Sequence, residues 1–361
     1  MTPAAQAIRD EIRARGPIPF ARFMELALYH PEGGYYAAGR VRIGADEGDF
    51  TTAPHLSRLF GRCLARWVEA ADRALGRPDP FVLVEGGPGE GRLARDLLDA
   101  LAERNPDLYR RLRYAADEAS PALDRRRRDL LAPHAERCLA AAPEGFEGVY
   151  LSNELVDALP VHRLRGAGPG LREAFVDRDG EGFVEVWAEP SEAARRFLDG
   201  YAPPLGDWEV EIRPAAGAWL GRVAGLLGRG YVLTIDYGDR ADRLYGPHRP
   251  RGTAVAYRAH RLVEGLLADP GEQDLTAHVD FTHLVEAGRA LGLEPLDLRN
   301  QREFLFAWGL EDEVRDLEAR LPEVERLAAM QALAPLLLPG PGMGDTFRAL
   351  VQGKGVGKLE G

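Results

Sequence analysis

The stretch FVLVEGGPGEGRLARDLLDALAERNP, residues 81–106, restricts the fold more than any other part of the chain. It is a short apolar run, a glycine-rich turn and an amphipathic helix carrying Leu93, Leu97, Leu98 and Leu101 at helical spacing. Three further runs, LRYAADEASP, GVYLSNELVD and YVLTIDYG, end in polar residues. Strands of this kind alternating with helices build a doubly wound parallel α/β sheet. In such a sheet the ligand sits beyond the carboxyl ends of the strands, where these polar residues fall.

The rest of the chain reads as additions to that sheet. Residues 1–60 are expected to form a helical N-terminal segment and a lid loop, with helices over 4–15 and 20–30 separated by Gly16-Pro17. The core occupies 61–162 and 211–300, opening with a helix that places Leu59, Cys63, Trp67 and Ala70 on one face. Between its halves lies an insertion at 163–210, where LREAFVDRDGEGFVEVWAE around Asp179-Gly180 predicts a β-hairpin. An irregular insertion spans 239–277, a helical one 301–345, and 346–361 holds a closing strand and tail.

Composition removes several classes of function. The formal charge of −11 disfavours general nucleic-acid binding. Cys63 and Cys138 alone give neither a disulfide framework nor a cysteine metal site, and the eight histidines lack ligand spacing. No run approaches the roughly 18 apolar residues that span a bilayer. The opening MTPAAQAIRDEIRARG has no signal-like apolar stretch, so the expectation is a cytoplasmic protein without membrane insertion. Oligomeric state is not legible.

The glycine-rich turn fits two kinds of ligand, or a plain strand-to-helix turn. Gly89-x-Gly91-x-x-Ala94 matches a pyrophosphate-cradling dinucleotide fingerprint loosely. Glu85, Gly87, Gly89 and Gly91 match the acidic-x-Gly-x-Gly-x-Gly form used for S-adenosylmethionine. Glu85 and Glu90 would repel a pyrophosphate and suit a ligand with an ammonium and a sulfonium, which favours the methyl donor. Asp117 and Glu118, at the end of the second strand, are placed to hold ribose hydroxyls; Glu118 is the chosen partner.

RGPIPFARFMELALYHPEGGYY, GDFTTAPHLSRLFG, EGGPGEGRL, SNELVDALPVHRL, IDYG, RGTAVAYRAHR, DLTAHVDF and MGDTFRAL occur in this order. Together they resemble the MidA-like family of S-adenosylmethionine-dependent methyltransferases, from about Gly16 to Leu350. The resemblance implies a Rossmann-like class I methyltransferase sheet with an antiparallel last strand near Thr346–Gln352. It also implies methyl transfer, with a protein arginine as the acceptor of the mitochondrial members that serve assembly of respiratory complex I. Gly86, Glu90 and Arg92 depart from the family pattern but leave Gly87, Gly89 and Gly91 intact. The donor set is then Glu85, Gly87, Gly89, Gly91, Glu118 and Asn153, with Thr51 and Thr52 of the lid.

Methyl transfer from a sulfonium is an in-line displacement that the enzyme serves mainly by positioning. A guanidinium is planar, always charged and weakly nucleophilic, and a carboxylate in bidentate contact orients it. Glu154 and Asp157 follow the strand GVYLSN, the correct sheet edge for that task. Asp157 reads about equally as a first-turn acid of a helix capped by Asn153, while for Glu154 the functional reading is preferred. Asp236 ends the strand YVLTID; His278 and Asp280, two apart, face one side of an extended stretch. His278 is a candidate proton relay, and Tyr35 and Tyr36 candidate channel residues. A methyltransferase acting on a small molecule, or an assembly chaperone that merely binds the donor, uses the same pocket and stays open. The expected partner is a protein substrate, such as a respiratory-complex subunit.

Overall fold

Val82, Leu83 and Val84 are buried on both faces of a sheet, as a central parallel strand requires. The computed structural model describes residues 1–39, 52–180, 182–258, 261–337 and 342–360. They divide into two units. The first comprises Met1–Phe50, Val156–Trp219 and Gly238–Leu284, the second Thr51–Leu155, Leu220–Tyr237 and Val285–Gly361.

The second unit is built on six strands: β1 Phe81–Gly86, β2 Leu112–Asp117, β3 Phe146–Asn153, β4 Leu227–Asp239 (its last two residues counted with the first unit), β5 Glu294–Asn300 and β6 Phe347–Lys354. Their order is β2-β1-β3-β4-β6-β5. β1 to β4 are parallel, while β6 runs antiparallel between β4 and β5. This is the doubly wound α/β fold with the expected antiparallel closing strand. The order of strands changes direction between β1 and β3, so their carboxyl ends flank a crevice.

Helices Arg58–Ala74 and Arg92–Arg104 cover one face. Leu59, Cys63, Trp67 and Ala70 from the former meet Leu93, Leu97, Leu98 and Leu101 from the latter in one buried cluster. Each fully buried leucine or aromatic there contributes on the order of 2 kcal/mol. The helix Leu310–Arg320 is held to them by Glu313, which is 1% exposed and takes Arg62, Arg66 and Arg104 at 2.5, 2.7 and 2.6 Å. A carboxylate so buried is tolerable only when fully paired.

The first unit holds the hairpin predicted around Asp179-Gly180, formed by Arg172–Asp179 and Gly182–Ala188. Its sheet is larger than a hairpin. His162–Gly166 and Gly206–Ile212 extend it, and Ile18–Pro19 pairs with Phe175 and Val176. The short strand that separates the N-terminal helices therefore shares one sheet with the segment after residue 162, because the strand's free backbone groups need partners. Within the same unit Val279 and Asp280 pair in parallel with Gly238 and Asp239.

Candidate functional site

The turn after β1 needs left-handed backbone at Gly87, Gly89 and Gly91, with φ of +61°, +56° and +83°. Only glycine adopts these angles freely. Space is missing as well. A Cβ on Gly87 would lie 2.5 Å from Leu155 Cδ1, and one on Gly91 2.6 Å from Arg127 Cγ. The Gly87 amide donates to Asp117 O at 2.9 Å, tying the turn to the end of β2. Glu118 completes the tie, accepting from the Gly89 amide at 3.0 Å and the Ser120 amide at 2.8 Å. Burial raises its carboxyl above the usual range, and those two amides oppose the rise. Asp117 is exposed and takes the Tyr150 hydroxyl at 3.0 Å.

Glu85 is 4% exposed and accepts the Tyr114 hydroxyl at 2.8 Å. Burial pushes its carboxyl up to about 7, while Tyr114 and the Arg127 guanidinium hold it down. Glu90 pairs with Arg126 at 2.9 Å, so the charge it was expected to add beside the turn is balanced.

At the end of β3 the backbone turns sharply. Glu154 has φ +54°, and its amide donates to Ile235 O at 3.0 Å. A left-handed non-glycine residue costs about 1–2 kcal/mol, and such strain gathers at functional positions. No helix follows within 154–160, so Asn153 is not a helix cap and Glu154 is not a first-turn acid. Asn153 Nδ2 donates to Glu154 Oε1 at 3.0 Å. Asn153 Oδ1 and Ser152 Oγ are buried without a hydrogen-bond partner among the described residues. Orphaned acceptors beside a glycine cradle suit a ligand that brings N–H donors, as the ammonium of S-adenosylmethionine does. Asp236, on β4, is fully buried and accepts the Tyr237 amide at 2.9 Å.

Thr52 is buried and its hydroxyl lies 2.8 Å from His55 Nδ1. Burial first, then Arg92, push His55 down to about 4. Thr51, and the rest of the expected lid loop over 40–51, lie outside the described residues.

Asp157 and His278 belong to the first unit. Asp157 is 6% exposed and accepts the Thr276 hydroxyl at 2.8 Å. Its carbonyl takes Arg213 Nη2 at 3.0 Å, and the same guanidinium donates to Leu159 O, Ala277 O and His278 O. Burial, Arg249 and Arg213 push His278 down to about 4, so the ring is neutral near pH 7. Asp280 accepts the Tyr201 hydroxyl at 2.5 Å and the Thr282 and His283 amides, which makes it a cap for the helix Phe281–Ala290. Tyr35 is 2% exposed and Tyr36 donates to Asp274 at 2.8 Å; both pack within the unit.

Glu85, Gly87, Gly89, Gly91, Glu118, Asn153, Glu154 and Thr52 thus share the second unit, and Asp157 and His278 the first. Sequence reasoning missed Tyr114, Arg127 and Arg213. Tyr114 carried a signal, since it sits two residues before the partner of Glu85 in the β1–β2 register. Arg213, which acts on backbone carbonyls far along the chain, carried none. Among the described residues, no group of three or more His, Cys, Asp and Glu is placed to hold a metal ion, and no helix is long and apolar enough to cross a membrane.

Residues 63–298 match a family model described as an S-adenosyl-L-methionine-dependent methyltransferase. The protein arginine methyltransferase NDUFAF7 homolog, mitochondrial, of Drosophila melanogaster is 32% identical over 311 residues, spanning 77% of this chain and 68% of that protein. The human mitochondrial protein arginine methyltransferase NDUFAF7 is 29% identical over 387 residues, spanning 96% and 82%. A crystal structure from Burkholderia thailandensis, bound to S-adenosyl-homocysteine, superimposes with a TM-score of 0.85 at 34% identity, covering 99% of this chain and 93% of that one. The expectation of a cytoplasmic location is corrected by these relatives, which are named as mitochondrial. That expectation rested on the lack of a signal-like apolar stretch, a feature that bears on secretion and does not separate cytoplasmic from mitochondrial proteins.

Proposed function

The chain belongs to this family of S-adenosylmethionine-dependent methyltransferases, and we propose that it methylates an arginine side chain of a partner protein. The observation that carries the acceptor is Glu154, a carboxylate fixed in left-handed backbone at the carboxyl end of β3. Relatives named as protein arginine methyltransferases support it.

The residues divide the work. Gly87, Gly89 and Gly91 let backbone approach the donor, and Glu118 fixes the turn against the end of β2 where ribose hydroxyls would bind. Glu85 and Asn153 Oδ1 are the acceptors for the donor's ammonium end. When bound, S-adenosylmethionine supplies a methyl group on a cationic sulfur, which the acceptor nitrogen takes as the carbon–sulfur bond breaks and a proton leaves the nitrogen. Glu154 orients the guanidinium and favours electron density on one nitrogen. Asn153 Nδ2 donates to Glu154 Oε1, which steadies the carboxylate. We assign Asp157 and His278 supporting roles on the acceptor side: Asp157 through Thr276, and His278 as a neutral ring able to accept a proton. A respiratory-complex subunit is the proposed partner.

Mass spectrometry of proteins from wild-type and deletion cells tests the acceptor. An arginine that loses methylation in the deletion supports it. Loss of methylation from another residue type, or from a metabolite, overturns the arginine and leaves the cofactor standing.

A further inference from the structure

Arg127 lies on the helix Pro121–Leu130 and is 5% exposed. Its Nη2 pairs with Asp124 at 2.5 Å, and its Cζ stands 5.8 Å from the centre of the Tyr114 ring. Its stem occupies the space beneath Gly91 that a Cβ there would need. The Tyr114 hydroxyl in turn donates to Glu85 at 2.8 Å. Arg127 Nε is buried with no hydrogen-bond partner among the described residues. Packing alone does not explain such a side chain, because methionine or leucine would fill the volume without burying an unpaired donor. A charge kept at that expense points to electrostatic use.

We propose that Arg127 is a positioning residue for donor binding: through the face of Tyr114 it maintains negative charge on Glu85 while its stem shapes the underside of the Gly91 turn. This rests on Glu85 being the partner of the donor's ammonium end. The groups that face Glu85 are Tyr114 from β2, Arg127 from the helix and Glu118 from the loop after β2. Asp124 offsets part of the Arg127 charge. The half-buried Cys138 beside the pair has its thiol pushed up by burial and stays neutral. Arg127 is thus the cation that opposes the burial of Glu85, whose carboxyl sits at about 7.

Calorimetric titration of the full chain with S-adenosylhomocysteine, from pH 5.5 to 8.5, tests the proposal. Wild-type affinity should rise through about pH 7 as Glu85 ionises. Arg127→Met should move that midpoint up by about one pH unit and weaken binding about 5-fold at pH 7, with most of the loss recovered at pH 8.5. Arg127→Lys should restore the wild-type midpoint. An Arg127→Met profile weakened equally at every pH makes Arg127 a packing residue and overturns the proposal. Glu85→Gln should flatten the profile. If it keeps the wild-type profile instead, the role of Glu85 itself fails, a result distinct from failure at Arg127. Should Arg127→Met not fold, Arg127→Gln carries the test, since it removes the charge and keeps a polar stem. Its midpoint must also move up, and an unmoved one overturns the proposal.

Discussion

Glu85 in the second unit and Asp157 in the first are both buried carboxylates, and each accepts a hydroxyl hydrogen bond at 2.8 Å. Their surroundings differ. Glu85 faces a phenol, a guanidinium and a second carboxyl, Glu118, so its charge is balanced near neutrality. Beside Asp157 the Arg213 guanidinium is spent on backbone: it donates to the carbonyls of Asp157, Leu159, Ala277 and His278. Burial alone therefore does not mark a carboxylate for chemistry. What differs is the work of the neighbours: at Glu85 they oppose the burial of the carboxyl, and around Asp157 they use their donors to hold the chain.

The largest effect that would break this contrast is at the turn itself. Gly89→Val should abolish binding of S-adenosylhomocysteine, because valine does not tolerate φ +56°. Wild-type affinity by calorimetry would remove the turn from the donor site. Glu154→Gln should lower methyl transfer about 100-fold while changing donor affinity less than about 2-fold. A parallel loss of both would return Glu154 to a structural role.

Arg213→Met should cost the fold about 2–3 kcal/mol in urea unfolding, since several buried carbonyls lose a charged donor. A cost near zero would show that these carbonyls find other partners, and the contrast with Glu85 would weaken.

Acid should separate the two units further. His278 and His283 in the first unit and His55 in the second are each pushed down to about 4, chiefly by burial. Unfolded, each takes a proton near pH 6.5, so their stability is present above that pH and falls as pH drops towards 4. Glu85 runs the opposite way. Held at about 7 against an ordinary 4.5, it binds its proton more tightly in the fold, so its contribution grows as pH falls through that window. The second unit therefore carries opposing effects, and the first carries two histidines that act together. Hydrogen exchange at pH 5 against pH 7 should show a greater loss of protection in Arg172–Asp179 than in β1 and β3. The reverse order would contradict the assignment.

The smallest effect is expected from His278→Gln, at most about 3-fold in rate, because glutamine keeps a neutral acceptor in place of a neutral ring. A loss beyond about 30-fold would promote His278 from support to proton acceptor.

The glycine turn and its ties were readable because their parts lie close along the chain. Glu85 and Tyr114 are 29 positions apart, as are Gly89 and Glu118, within one strand–helix–strand unit. Alternation and glycine spacing suffice to place such residues at one sheet edge. Asp157 and Thr276 are 119 positions apart, and Asp157 and Arg213 are 56. No periodicity links residues at those separations. The reading of Asn153 as a helix cap was open for the same reason: in the fold the Glu154 amide goes to Ile235 O, a contact from another strand that no local pattern announces. The N-terminal segment looked separate because nothing in Ile18-Pro19 announces that it pairs with Phe175 and Val176.

By itself, then, the sequence determined the parallel sheet, the glycine cradle, the acids at its rim and the family of the donor, since local sterics and periodicity govern all of these. Tertiary structure decided the state of each acid. It gave Glu118 two amides, left Glu85 poised by Arg127 and Tyr114, strained Glu154 into left-handed backbone and enclosed the Asp157 chain segment with Arg213. Charge and strain depend on what is packed within a few ångströms, and that neighbourhood exists only once distant segments have met.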